Sequence, residues 1–275
     1  MKIIICIFLA LSAFVLPGSG FAADSFILGV APHTSARVIM SMYQPLRIYL
    51  EKSLNMSLEV ATAPDFTEFA RRALAGEYDI AVTTGHQARL LQTDAGYIPL
   101  LTYKADFKAV AIVPKESRIY TPHDVMGKRA LGLSPSSLVT LWGLHWLIDN
   151  GLSDVPVHYV SASDSVAQLI VAGDSQIGFL SLANFQKLSP AIGAQLRILD
   201  ESPAMAGRVY MLNNRHSDRQ TEIDSALWGF AETPEAKLYF ETNQLEGYRK
   251  LEPGELAEMD KYAAEVRQAL KEGGK

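Results

Sequence analysis

Short apolar runs bounded by Gly, Pro and Asp alternate along this chain with longer stretches whose apolar residues recur every three or four positions. That alternation predicts strands followed by helices. FILGVAP (26–32) reads as a strand, and SARVIMSMYQPLRIYLEKSL (35–54) as a helix bent at Pro45. LEVATAP (58–64) is a second strand. DFTEFARRALAG (65–76) is a helix capped by Asp65, with Glu68 in capping-box position and Gly76 as its stop. YDIAVT (78–83) is a third strand. The resulting βαβαβ order predicts a parallel sheet flanked by helices.

Near Tyr103 the rhythm changes. YIPLLTY and FKAVAIVP are two strand-like runs separated only by KAD, and a second alternating series follows. Its members are RALGL, the helical SSLVTLWGLHWLIDNG, VPVHYV, the helical DSVAQLIVAG, SQIGFLS and QLRILDES. GRVYMLN (207–213) is one more strand, and three helical stretches finish the chain. The last of them sets Leu256, Met259, Ala263, Val266 and Leu270 along one stripe. The pattern predicts an α/β molecule of two lobes: a first lobe over 23–104, a second over 105–203, and a return to the first over 204–275. Two chain crossings make a hinge, and a ligand cleft is expected between the lobes at the carboxyl ends of the strands, where helix N-termini also point.

Charge and composition narrow the function. The 275 residues carry a formal net charge of -5, which leaves no basic face to displace counterions from nucleic-acid phosphates. Lys2, the apolar run Ile3 to Leu16 and the small-residue stretch PGSGFAA predict a cleavable signal peptide over 1–22 and export to a periplasm. The sole cysteine, Cys6, lies in that apolar run, so the mature chain has neither disulfide nor thiol nucleophile. The six histidines form no i,i+4 pair, and neither a P-loop nor a G-x-S-x-G is present. No metal, no cofactor and no enzymatic activity are expected.

Residues 28–90 resemble the start of the phosphate/phosphite/phosphonate-type substrate-binding proteins of ABC transporters. The resemblance rests on GVAP, YQPLRIYLEKSL, APDF and GEYDIA in that order and spacing, and continues through DVMGKRALGLSPSSLVT and VAQLIVAGDSQIGF. It implies a type II periplasmic-binding-protein fold that closes on a small anionic ligand, as a monomer, and delivers it to a permease in the inner membrane. A sensory module informing a membrane-bound signalling partner is the alternative. The ligand carries over less directly. The aromatic residue after Pro-Asp is Phe66, without a phenolic hydroxyl, and the family's second aromatic falls at Thr83. The Ser-Thr-Ser cradle falls on Ser137, Leu138 and Val139, and the acid expected near PAMAGRVY has no match at Ala206 or Gly207.

The candidate ligand residues follow from helix N-termini, whose free N–H groups and positive partial charge favour anions. Ser136 is the expected N-cap in SPSSLVT, with Ser134 and Ser137 as further hydroxyl donors. Across the cleft stand Thr83, Thr84 and His86, and near the first strand His33, Thr34 and Ser35. Asp164 opens a helix of the second lobe, and Phe66 is the expected apolar wall. Plainer roles stay open beside these: Ser136, Ser35 and Asp164 as helix caps, His86 as a surface or capping histidine. Trp142, Trp146 and Trp228 are expected in packing.

Overall fold

The computed structural model describes residues 25–272; the signal-peptide segment and Cys6 lie outside them. The first lobe begins with β1 (Phe26–Val30), α1 (Ala36–Leu54), β2 (Leu58–Ala61), α2 (Phe66–Leu74), β3 (Ile80–Thr84), α3 (Gly85–Asp94) and β4 (Ile98–Tyr103). The chain then builds β5 (Ala109–Pro114), β6 (Ala130–Gly132), α4 (Leu138–Asp149), β7 (Val157–Tyr159), α5 (Ser163–Val171), β8 (Ile177–Ser181), α6 (Leu182–Gln186), α7 (Pro190–Gly193) and β9 (Leu196–Glu201). It returns through β10 (Arg208–Leu212) and ends with α8 (Gln220–Ala231), α9 (Pro234–Asn243), β11 (Tyr248–Arg249) and α10 (Asp260–Glu272).

Two sheets result, in the orders β11-β4-β10-β3-β1-β2 and β7-β6-β8-β5-β9. Neither is wholly parallel. β1, β2 and β3 run parallel, but β10 inserts antiparallel between β3 and β4, with Arg208 opposite Thr84. In the second sheet β6, β7 and β8 are parallel, while β5 is antiparallel to both β8 and β9. The parallel sheet expected for the first lobe is therefore mixed, because strands distant in sequence complete it.

Burial follows the sequence pattern. α1 runs through Pro45 and buries Ile39, Tyr43, Leu46, Leu50 and Leu54 at spacings of three and four residues. Each such side chain contributes about 1.5–3 kcal/mol by leaving water. Asp65 caps α2 by accepting from the backbone N–H groups of Thr67 and Glu68, while the Glu68 side chain turns to Arg72 instead of closing a capping box. The long final helix is instead a 3-10 turn, Ala257–Met259, followed by α10, and the stripe Leu256, Met259, Ala263 and Val266 is buried as expected. Trp142 and Trp146 pack in the core of the second lobe, and Trp228 lies half-buried against that of the first.

The lobes meet over the start of α4. Leu138 and Leu141 join an apolar cluster with Phe66, Phe69 and Tyr262 of the first lobe. Arg89 on α3 pairs with Asp260 at 2.7 Å, tying the last helix to the helix that follows β3.

Candidate interlobe ligand site

A small pocket of about 70 Å³ lies where four strand ends converge. Pro32, His33 and Thr34 follow β1, and Pro64, Asp65 and Phe66 follow β2. From the second lobe, Leu133 and Ser134 follow β6, and Ser161, Ala162 and Ser163 follow β7. Every wall is thus a loop or helix start at the carboxyl end of a parallel strand, the position where open α/β sheets receive ligands.

The pocket sets the hydroxyls of Thr34, Ser134, Ser161 and Ser163, the His33 ring and one carboxylate, Asp65, among apolar residues. The Ser134 Oγ is buried and has no hydrogen-bond partner, which for a buried hydroxyl is costly unless something else satisfies it. The Asp65 carboxylate is already engaged as the α2 cap, and Ser163 Oγ accepts from the Asn184 amide at 2.7 Å, leaving its own O–H to donate. The His33 Nδ1–H donates to the Ala31 carbonyl at 2.8 Å, so Nε2 is an acceptor and takes a hydrogen bond from Arg208 at 3.1 Å. Burial, and then the charge of Arg208, hold the His33 pKa well below the ordinary histidine value, so the ring is neutral.

The candidate residues divide into two groups. His33, Thr34, Phe66 and Ser134 line the pocket together. Thr83, Thr84, His86, Ser136 and Ser137 are buried and outside the pocket lining, with their polar side-chain atoms engaged by other protein groups. Thr83 Oγ1 donates to Gln87, whose amide donates to the Phe66 carbonyl. Ser137 Oγ donates to Thr140 Oγ1 at 2.8 Å, and the Ser136 and Thr67 hydroxyls share a 2.7 Å hydrogen bond across the lobes. His86 Nε2–H donates to the Ser136 carbonyl at 2.9 Å while Nδ1 accepts from Thr84 at 3.1 Å. Burial pulls the His86 pKa down to about 4, so this ring too is neutral.

Of three expected helix starts, the one at Ser35 holds and the other two change. The N-cap of α4 is Ser137 rather than Ser136, and its side chain makes no capping bond because it turns to Thr140. Ser35 is the N-cap of α1 but is exposed and also makes no side-chain cap. Asp164 is exposed in the first turn of α5, whose N-cap is Ala162, and does not line the pocket. The residue that sequence reasoning passed over is Arg208. A lone arginine opening an apolar strand reads as an edge charge, and the only signal was its place beside Gly207, where the resemblance looked for an acid.

Two α/β lobes, joined by two crossings and closing over a pocket at their facing strand ends, define a type II periplasmic binding protein. Comparison with solved structures gives the same fold. A Prochlorococcus marinus protein, PhnD1, in complex with methylphosphonate superposes with a TM-score of 0.77 at 15% identity, over 88% of this chain and 98% of that one. A Xanthomonas citri protein bound to ATP gives 0.75 at 20% identity, over 90% and 99%. The binding component of a Pseudomonas aeruginosa ABC phosphonate transporter gives 0.75 at 15% identity, over 90% and 88%. A search of curated protein sequences finds no match. The family model for the ABC transporter, phosphonate, periplasmic substrate-binding protein matches residues 28–256, and the chain belongs to that family, one of binding proteins and not of enzymes.

Proposed function

We propose that this chain captures a small phosphorus oxyanion or organophosphonate between its lobes and presents it to the permease of an ABC importer in the inner membrane, after export directed by residues 1–22. The observation that carries the ligand class is the Ser134 hydroxyl, buried and unpartnered in a pocket built by both lobes. A tetrahedral oxyanion there would accept from Ser134, Ser163 and Thr34. It would bridge the lobes, so that binding favours the closed arrangement. Methylphosphonate as the ligand of the structurally similar Prochlorococcus protein supports the same class.

The test is calorimetry on the mature protein with phosphate, phosphite, methylphosphonate and sulfate. At least one phosphorus oxyanion binds, and Ser134→Ala weakens it by about 1–3 kcal/mol, roughly 5- to 150-fold, with little change in stability. Absence of heat from all four ligands would remove the oxyanion assignment.

A further inference from the structure

The strand that returns to the first lobe brings a cation to the cleft for which the interlobe pocket has no use. Arg208 opens β10 opposite Thr84, at the strand ends that face the second lobe. Its guanidinium, charged at any physiological pH, lies 5.4 Å from the Tyr103 ring centroid and donates to neutral His33. Tyr43, Tyr103 and Tyr239 are the groups whose electrostatics it feels, and among the described residues it has no carboxylate partner. A half-buried arginine without an acid is an open anion position.

A second cation, on the other lobe, reaches the same region through Asn243, which lines a recess together with Arg208. Lys187 follows α6, and its Nζ donates to the Asn243 carbonyl at 3.2 Å. Partial burial, and then the charge of Arg208, press its pKa below the ordinary lysine value. Beside the two cations a recess of about 380 Å³ is lined by Arg208, Gly207, Gln186, Asn243 and Tyr103. Asp106 and Glu246 also line it, but both are exposed and neither forms an ion pair with Arg208 or Lys187.

We propose that Arg208 and Lys187 hold the carboxylate of a ligand whose phosphonate occupies the Ser134 pocket, making the ligand class an amine-free phosphonocarboxylate. This rests on the oxyanion reading of the pocket. His33 lines the pocket and accepts from Arg208 at 3.1 Å, so one imidazole ring separates the guanidinium from the pocket wall, and the proposed ligand is one whose short carbon chain passes that ring. An anion between the two cations removes a repulsion that opposes closure of the lobes. An ammonium group in the same place adds a third positive charge and finds no free buried carboxylate, which selects against aminoalkylphosphonates.

The experiment is calorimetric titration of the mature protein with phosphonopropionate, methylphosphonate and aminoethylphosphonate, repeated on Lys187→Gln and Arg208→Gln. Lys187 is largely exposed, so its variant tests the site without disturbing the core. The wild type is expected to bind phosphonopropionate at least tenfold more tightly than methylphosphonate, and aminoethylphosphonate more weakly than either. Lys187→Gln erases the advantage of the carboxylate and leaves methylphosphonate unchanged. Equal or tighter binding of methylphosphonate by the wild type, or a carboxylate advantage that survives in both variants, overturns the second position and leaves the pocket reading intact. If none of the three ligands binds, the second position falls, and the oxyanion reading of the pocket is decided separately by phosphate and phosphite.

Discussion

Replacing His86 by Gln isolates a titration that the structure ties to the contact between lobes. The His86 ring is fully buried and donates from Nε2 to the Ser136 carbonyl of the opposite lobe. Its pKa is about 4 in the folded protein against an ordinary 6.5, because burial penalises the imidazolium. The folded value is depressed, so the unfolded chain takes up a proton first as pH falls. The contribution of the neutral ring to stability is therefore complete above about pH 6.5 and is lost as pH falls from there to about 4. At 1.36 kcal/mol per unit, the full loss is about 3 kcal/mol, of which roughly 2.5 kcal/mol has gone by pH 4.5. His86→Gln keeps an N–H donor that can reach the same carbonyl but cannot titrate. Urea unfolding of both proteins at pH 7.5 and pH 4.5 measures the difference. The variant is less stable than wild type at pH 7.5, and wild type loses about 2–2.5 kcal/mol more than the variant on acidification. The neutral His33 titrates in both proteins and cancels in the comparison. Equal losses in the two would refute the assignment of His86 as the buried, neutral link between lobes.

Gly85→Ala is expected to cost about 1–3 kcal/mol in thermal or urea unfolding, because a Cβ there would stand 2.4 Å from the Ala206 Cβ and 2.7 Å from its carbonyl oxygen. Asp79 is buried and receives the Ile27 backbone N–H at 2.6 Å together with Arg215 and His216, so Asp79→Ala is expected to cost about 1.5–3 kcal/mol, read as a lowered urea midpoint. Thr67→Val removes the hydroxyl that meets Ser136 across the lobes and lowers stability by about 0.5–1.5 kcal/mol, with an unchanged urea slope as the check that the fold is kept.

Local chemistry made much of this fold legible. Asp65 announces the start of α2 because a carboxylate followed by an apolar helical face has few better uses, and the alternation from Phe26 to Thr84 identifies β1, β2 and β3 within three residues at each end. The order of strands was not legible, since the place of β10 between β3 and β4 depends on partners more than 100 residues away in sequence. The pocket was partly visible: Thr34, Phe66 and Ser134 follow from the rule that ligands sit at strand ends. Which hydroxyls remain free was not visible, because it depends on tertiary pairing. Ser137 and Thr140 satisfy each other one helical turn apart, and Ser136 meets a threonine from the other lobe. Arg208 escaped notice for a related reason, as its missing acid partner is a property of the folded surroundings and not of the segment GRVYMLN.

The insertion of β10 also governs the order in which the molecule can be assembled. Of the strands that precede β5 in the chain, β1, β2 and β3 are neighbours in the finished sheet, whereas β4 needs β10 between it and β3. The second sheet, β5 through β9, is drawn from one uninterrupted stretch and can close on itself before β10 arrives. The first lobe waits for Arg208–Leu212 to arrive and pays the closure of a loop of more than 100 residues before the strand is rewarded. Until β10 and β11 arrive, three strand edges wait for partners, one on β3 and both of β4, and any factor that guards the incomplete chain has those edges, and not the ligand cleft, to protect.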